Sequence, residues 1–185
     1  DMPKPQSPNM RKLSNDALTR EVVSPRFWRR QTARRLLLER AGHADDRPAR
    51  ITLPANGTTA AINALYTLDG LAQLNDNVLE SALSHSAPGV RRHALRLAED
   101  RLYSRKMLLN AALRLASDPS PVVRLQLALS LGESDNPRSL QALAGLARRH
   151  GEEAWLDGAI LSSLGNRAGK MLKIMLSNKT DTLGQ

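Results

Sequence analysis

The chain has 185 residues, of which 41% are hydrophobic and only 3% aromatic, and its formal net charge is +9. This length suits one domain or a short array of repeats. A core so poor in aromatic rings has to consist mainly of Leu and Ala, which favour helices over strands. The charge favours anionic partners or solubility and carries no information about the fold.

Two classes of function are excluded by composition. The chain contains no Cys, so this segment can form no disulfide, thiolate nucleophile, Cys-ligated zinc site or Cys-x-x-Cys-His haem attachment. No apolar run approaches the roughly 18 residues that a membrane-spanning helix needs. We therefore predict no transmembrane segment. Composition alone does not indicate the cellular compartment.

Apolar residues at helical spacing, with Ser, Asp or Pro before them and Gly after them, predict a series of helices. The Pro-rich residues 1–12 lack the apolar core of a signal peptide, so we interpret them as a linker or as the boundary of a segment from a longer chain. Two Pro and a Gly interrupt residues 42–56, where we predict a loop or one short helix, and residues 178–185 are predicted to be a frayed tail. The predicted helices span residues 13–23, 25–41, 57–70, 76–84, 88–101, 105–117, 120–132, 137–149, 152–165 and 169–177.

Internal repeats give the architecture. The segments SAPGVRRHALRLAE and DPSPVVRLQLALSLGE share a polar break containing Pro, followed by Val-Arg, and they place Arg91 and Arg124 33 positions apart. The earlier segment SPRFWRRQTARRLLLER joins them if Trp28-Arg29 replaces Val-Arg. Paired helices at a period of about 33 to 40 residues indicate an α-solenoid. We predict an all-α fold, a right-handed α-solenoid of about five HEAT-like helical pairs that forms a single domain over residues 13–177.

Five segments together point to a narrower family. They are FWRRQTARRLLLER, NALYTLDGLAQL, PGVRRHALRLAE, VVRLQLALSLGE and AWLDGAILSSL, and they occur in this order between about residues 15 and 165. In this order they resemble the HEAT-like segment of large planctomycete-type membrane-bound dehydrogenases. The resemblance implies a longer exported or periplasmic redox protein, with a sugar-dehydrogenase-like β-propeller before the repeats and a cytochrome c or haem-binding domain after them. It implies no catalytic residue, metal site or cofactor within this segment.

Arginines at equivalent repeat positions are the candidate functional residues. Equivalent positions stack in a solenoid, so we predict that Arg29, Arg91 and Arg124 form a ladder that bonds carboxylates or carbonyls at neighbouring turns. Asp118 is the predicted partner or cap of Arg124. The concave face, lined by the second helix of each pair, is the expected interaction surface. Its candidate residues are Arg26, Arg29, Arg30, Arg34, Arg91, Arg92 and Arg124.

The aromatic residues and the last helix yield further expectations. Trp28 shares a helical stripe with Thr32 and Leu36, which predicts that its ring packs at the start of the solenoid. Trp155 falls in the first turn of a predicted helix and is expected to fill the core. The last predicted helix is amphipathic, which is typical of the first helix of a further repeat or of a helix on a membrane surface. Its apolar residues expected to be exposed are Met171, Leu172, Met175 and Leu176.

Two functions stay open at this point. The first is a non-catalytic scaffold that docks a protein or the neighbouring propeller and cytochrome domains. The second is nucleic-acid binding by the basic helix that begins near Arg26. A base-excision enzyme is disfavoured because the sequence shows no clustered Asp–Trp site. A metal site is also disfavoured, because no metal-binding spacing relates His43, His85, His93 and His150.

Overall fold

A computed structural model describes residues 9–41, 50–153 and 155–180, without the side chains of residues 178–180. In that part of the chain the fold is all-α, as predicted, and no strand occurs. The chain divides into two compact units, residues 1–75 and residues 76–185. Each unit is described by itself, and the single domain expected over residues 13–177 stays a prediction.

The first unit contains the helices α1 (Asn15–Glu21), α2 (Phe27–Arg40) and α3 (Thr58–Gly70). Helix α1 begins where a side chain can satisfy its free backbone donors, because the hydroxyl of Ser14 accepts a hydrogen bond from the N–H of Ala17. Helix α2 packs against both α1 and α3. The side chains buried in this unit include Leu18, Ala33, Leu36, Leu37, Ala61, Ala64, Leu65 and Leu68.

Two segments of the first unit bear on the predicted boundaries. Residues Met10–Lys12, which the sequence assigns to the linker, form one turn of 3-10 helix in which Met10 is buried. Residues 50–57 are irregular, in line with the loop predicted over residues 42–56. The remainder of that loop, residues 42–49, lies outside the described residues.

The second unit consists of helices near the predicted ones. They are α4 (Asp76–Leu83), α5 (Pro88–Leu102), α6 (Lys106–Arg114), α7 (Pro121–Gly132), α8 (Pro137–His150), α9 (Leu156–Leu164) and α10 (Ala168–Thr180). There are three differences: α6 ends at Arg114 rather than at residue 117, α9 starts at Leu156 rather than at residue 152, and α10 continues to Thr180, into the tail predicted over residues 178–185. Pro88, Pro121 and Pro137 each occupy the first position of a helix, where the missing N–H would have no partner within the helix. Because Pro at the first position marks a helix start, the sequence predicted the starts of these three helices to within one residue.

Helices of the second unit lie in two layers. Helices α4, α6, α8 and α10 are the first helices of successive pairs, and α5, α7 and α9 are the second helices. Within the second layer α5 packs on α7 and α7 packs on α9, while α4 packs on α5 and α6, and α8 packs on α7, α9 and α10. The largest fully buried side chains of this unit are all leucines: Leu79, Leu83, Leu95, Leu102, Leu108, Leu109, Leu127, Leu131 and Leu143. The aromatic-poor composition therefore corresponds to a leucine core.

Two glycines in the second layer should respond oppositely to substitution by Ala. A Cβ on Gly132 would lie 2.8 Å from the Cβ and 3.0 Å from the Cα of Ser163, so α7 and α9 would have to separate. We expect Gly132→Ala to lower the free energy of unfolding by about 1–3 kcal/mol. A Cβ on Gly158 meets nothing within 4 Å, so Gly158→Ala should raise stability by up to about 1 kcal/mol through helix propensity. Urea denaturation measures both changes, and equal stability of the two variants would contradict the close approach.

Candidate functional site

Three arginines occupy the fourth position of a helix that follows a polar break: Arg30 in α2, Arg91 in α5 and Arg124 in α7. In each case Nη1 donates a hydrogen bond to the carbonyl oxygen six residues earlier, at 2.7 Å for Arg30 and 2.7 Å for Arg91. The accepting carbonyls belong to Ser24, His85 and Asp118. Each guanidinium thus fixes the chain that leads into its own helix.

The ladder was predicted to begin with Arg29, but the structure places Arg30 at this position. Arg29 does not occupy the ladder position, and its Nη1 instead donates a 2.9 Å hydrogen bond to Glu21 on α1. Helix α2 begins at Phe27, so the fourth position falls on Arg30. The sequence alignment matched the Trp-Arg dipeptide to Val-Arg, whereas the geometry depends on the distance from the start of the helix.

Carboxylates connect the ladder positions of the second unit. Arg91 donates to both carboxylate oxygens of Asp118, from Nε at 2.7 Å and from Nη2 at 2.8 Å. Arg124 donates to both carboxylate oxygens of Glu153, from Nε at 3.2 Å and also from Nη2. The polar break before one helix is thereby tied to the preceding second helix. The predicted bond between Asp118 and Arg124 is confirmed for the Asp118 carbonyl, while its carboxylate binds Arg91.

Asp118 is held as an anion. Burial by itself would raise the pKa of Asp118, but hydrogen bonds from Arg91 and from the N–H of Ser120 oppose it, as do the charges of Arg91 and Arg124. Together they hold the pKa of Asp118 below its ordinary value. The ion pair is thus present in its charged form at neutral pH.

Three of the predicted surface arginines are not available to a partner. Arg30 is 6% exposed and Arg124 is 8% exposed, and the side chain of Arg91 is 11% exposed. All three donate to backbone carbonyls of the chain itself. Because a buried, hydrogen-bonded guanidinium cannot be withdrawn without leaving its partners unsatisfied, these three residues stabilise their own repeats, and the interaction surface predicted from the arginines stays a prediction.

The other four predicted surface arginines differ in exposure. Arg29 is half-buried against Glu21, and the guanidinium of Arg34 lies 5.8 Å from the centre of the Tyr66 ring. Arg26 and Arg92 are exposed. Only the last two therefore present a freely accessible charge, one in each unit.

Much of the remaining charge of α2 is also engaged. Arg35 and Glu39 form the predicted i, i+4 pair at 3.7 Å. Arg40 donates to the carbonyls of Leu13 and Arg11, both at 2.8 Å. The basic helix that suggested phosphate binding is thus largely a set of internal contacts of the first unit.

The outward residues of α5, α7 and α9 form the surface here called the second-helix face. The sequence predicted an interaction surface lined by second helices and named Arg92 on it, but named none of its apolar residues. The exposed residues are basic on α5, apolar on α7, and aromatic and apolar at α9. Its defining residues are Arg92 and Arg96 on α5, Val122 and Leu129 on α7, and Trp155 and Leu161 at or within α9.

A groove of about 550 Å³ opens on this face. Arg96, Gln126, Leu129 and Ser162 are among the residues that line it, so α5, α7 and α9 all contribute. Arg167, which also lines the groove, donates to four carbonyls, those of Gly132, Ser134, Ser163 and Leu164. These bonds satisfy carbonyls at the ends of α7 and α9 that have no partner within a helix. They hold the ends of α7 and α9 together beside the groove.

Comparison with known families can now be set beside this geometry. A family model for HEAT repeats matches residues 75–165, the stretch that contains α4 to α9. Residues 75–165 are HEAT repeats. Neither the curated proteins nor the solved structures give a significant match to the chain. The HEAT region thus contains three helical pairs, and its three second helices are those that form the second-helix face.

The aromatic side chains contradict two predictions. Trp155 precedes α9 with φ of +69° and is 81% exposed, so it does not fill the core of the HEAT region. Helix α9 starts at Leu156 rather than at the predicted residue 152, so Trp155 precedes the helix instead of lying in its first turn. Trp28 is 40% exposed, beside Phe27 at 66%, so Trp28 is not a buried plug. Tyr103 is exposed as well, and no sequence pattern separated these rings from core residues.

The helix that follows the HEAT region is exposed in part. In α10, Leu172 is 58% and Leu176 is 57% exposed, as predicted. Met171 is buried, and Met175 is half-buried, which corrects the expectation for these two residues. Helix α10 packs on α8 and α9, so its inner side is already covered.

The histidines have ordinary roles where they are described. Nδ1 of His85 accepts a hydrogen bond from the N–H of Ala87, and Nδ1 of His150 lies 2.9 Å from Glu153. Within residues 9–41, 50–153 and 155–180, no group of His, Asp and Glu could hold a metal ion. His43 lies outside these residues. The same part of the chain contains no helix with the length and apolar character needed to span a membrane.

Proposed function

We propose that the chain is a non-catalytic HEAT-repeat scaffold that binds a protein partner on its second-helix face. The observation that carries this proposal is the exposure of bulky apolar side chains on neighbouring helices: Leu129 is 41%, Leu161 is 68% and Trp155 is 81% exposed. Single exposed apolar residues are common on monomeric proteins, whereas a contiguous set indicates an interaction site. Trp, which belongs to this set, and Arg, which is exposed on the neighbouring helix α5, are also among the residues most enriched in binding hot spots.

Burial on the other side of these helices supports the same interpretation. Helix α7 buries Val123, Leu127 and Leu131 completely while it exposes Val122 and Leu129. Its apolar surface thus exceeds what the repeat core uses. A helix that is apolar on both sides is typical of one covered on both sides, and a protein partner would supply the missing cover.

Site-specific photo-crosslinking in the host cell tests the proposal. A benzoylphenylalanine at position 129 is expected to capture a discrete protein, whereas the same residue at position 141, exposed on the first helix α8, is the matched control. Leu161→Glu should abolish the crosslink from position 129 because it places a charge in the apolar contact. Equal labelling from both positions, or no discrete product from position 129, would overturn the scaffold proposal.

A redox context is the narrower form of the proposal. The resemblance to membrane-bound dehydrogenases supports a role in holding a propeller active site near a haem domain of an exported protein. The reading frame around this segment tests it directly. A β-propeller encoded upstream and a Cys-x-x-Cys-His motif downstream are expected, and the absence of both would leave only the general scaffold function.

Nucleic-acid binding by the first unit is the second candidate, and one observation favours it. Phe27 and Trp28 are exposed at the start of the basic helix, near the exposed Arg26. Aromatic rings beside cations are typical of surfaces on which single-stranded bases stack. The affinity for single-stranded and duplex DNA, measured at increasing salt concentrations, tests this candidate, because phosphate-dominated binding weakens steeply as salt rises. No binding at low salt, or binding unaffected by Phe27→Ala with Trp28→Ala, would eliminate this candidate.

A further inference from the structure

The second-helix face carries three exposed apolar side chains, Val122, Leu129 and Leu161, here called the apolar strip. Val122 and Leu129 are two turns apart on α7, and they are 48% and 41% exposed. On the adjacent helix α9, Leu161 is exposed beside Ser162, which lines the same groove as Leu129. Because α7 and α9 pack directly on each other, these exposed side chains lie on adjacent helices and offer apolar surface to the apolar stripe of a bound helix.

One edge of this strip is positively charged. Arg92 and Arg96 lie one turn apart on α5, both are exposed, and no carboxylate in the described part of the chain forms an ion pair with either of them. Arg91, next to them, is fully engaged with Asp118. The pKa of His93, between them, is lowered by its burial and by the charges of Arg92 and Arg96.

The same face also has small and acidic residues. A Cβ on Gly158 of α9 would meet nothing within 4 Å, so a partner backbone can approach closely there. Asp157 is exposed beside it, and Glu133 and Asp135 line the end of the groove. These carboxylates would repel a phosphate backbone, whereas a protein helix can match a face that carries both basic and acidic groups.

We infer that the second-helix face of the HEAT region binds an amphipathic helix of a partner protein, with carboxylates of that helix over Arg92 and Arg96. The apolar stripe of the bound helix lies on Val122, Leu129 and Leu161. The inference rests on the proposed scaffold function and adds the chemistry of the partner. Complementary charge at the edge sets the orientation of the helix and its rate of association more than its total affinity.

Selection from a helical peptide library tests this chemistry. The library has a fixed apolar stripe, and the positions that flank the stripe on each side are randomised. The 185-residue chain is expected to select peptides with Asp or Glu on one flank. Arg92→Glu combined with Arg96→Glu should lower the affinity of these peptides at least tenfold and should select Lys or Arg on the same flank instead. The matched control reverses two exposed charges on first helices, Arg148→Glu with Lys170→Glu, and should keep the acidic preference.

A second variant separates binding from folding. Gly158→Leu fills the open space on α9 without meeting another atom of the chain within 4 Å of its Cβ, so its thermal stability should equal or exceed that of the parent. Its affinity for the selected peptides should nevertheless fall at least tenfold. Unchanged affinity in this variant would overturn the placement of the helix.

The remaining outcomes distinguish the inference from the scaffold function. Selection with no charge preference on either flank, or displacement of the selected peptides by single-stranded DNA at low salt, would overturn the acidic-helix inference. If no helical peptide is selected while position 129 still crosslinks a protein, the inference falls and the scaffold proposal stands. If both experiments fail, both proposals fall.

Discussion

Replacing Asp118 with Ala is expected to lower the free energy of unfolding by about 3–5 kcal/mol, the range observed when one partner of a buried ion pair is removed. The Asp118 side chain is 3% exposed and accepts two hydrogen bonds from Arg91 and one from the N–H of Ser120. Without it the Arg91 guanidinium keeps only its bonds to backbone carbonyls. A buried charge then lacks its counter-ion, and the break between α6 and α7 lacks its anchor.

Chemical denaturation with Asp135→Ala as control gives the measurement. The Asp135 side chain is 90% exposed and only 4.0 Å from Arg167, so its removal should change stability by less than about 0.5 kcal/mol. Similar losses in the two variants would contradict the role assigned to Asp118.

Acidification provides an independent check on the same residue. Because the folded-state pKa of Asp118 is lowered, its ion pair contributes stability that is fully present above the unfolded-state pKa of about 4. That contribution is lost as pH falls through the folded-state pKa. The stability of Asp118→Asn should therefore depend less on pH below about pH 4 than that of the parent, as followed by denaturation at several pH values. An identical pH dependence would show that Asp118 is not the titrating group.

Two ion pairs made by the ladder arginines of the HEAT region explain how a leucine core can give a defined binding face. Leucine packing by itself holds helices together with little directional preference, because apolar contacts are not directional. Arg91–Asp118 and Arg124–Glu153 each connect a second helix to the break before the next second helix. They therefore fix the spacing and rotation of α5, α7 and α9. The side chains that these rotations turn outward, such as Arg92 and Val122, are direct neighbours of ladder or core residues.

Helix positions in this chain could be predicted from the sequence because the signals are local. Pro at the first helical position and apolar residues at helical spacing located α5, α7 and α8 within one or two residues. The repeat of Arg91 and Arg124 was visible for the same reason, since both follow a Pro by three positions. The fold class and the pairing of helices follow from these local signals and from the need to bury one side of each helix.

The exposure of individual side chains could not be predicted in the same way, because it depends on which other helices pack against each helix. Trp28 lies on a stripe with the buried Leu36 and yet is 40% exposed, since its position lies at the end of that stripe. Trp155 adopts a positive φ, an uncommon backbone conformation for a bulky residue, and this conformation places the start of α9 after it. The exposed apolar residues of the second-helix face were missed because Leu129 and Leu161 have the same spacing as core leucines.

Arg30→Ala is expected to lower the free energy of unfolding by about 2–3 kcal/mol, and Arg29→Ala by about 1 kcal/mol or less. Arg30 is 6% exposed and donates to two carbonyls, those of Ser24 and Pro25, and each charged hydrogen bond of this kind contributes about 1.5 kcal/mol or more. Arg29 is partly exposed and forms one ion pair, with Glu21, and such pairs contribute little.

The comparison of these two neighbours decides the register of the ladder in the first unit. Both variants remove the same charge from the same helix, so general electrostatic and helix-propensity effects cancel. Arg30→Lys is the informative intermediate, because a Lys ammonium retains the charge but lacks the planar fork of a guanidinium, and it should recover less than half of the loss. Urea denaturation that shows Arg29→Ala to be the more harmful substitution would restore the register inferred from the Trp-Arg dipeptide and would contradict the placement of Arg30.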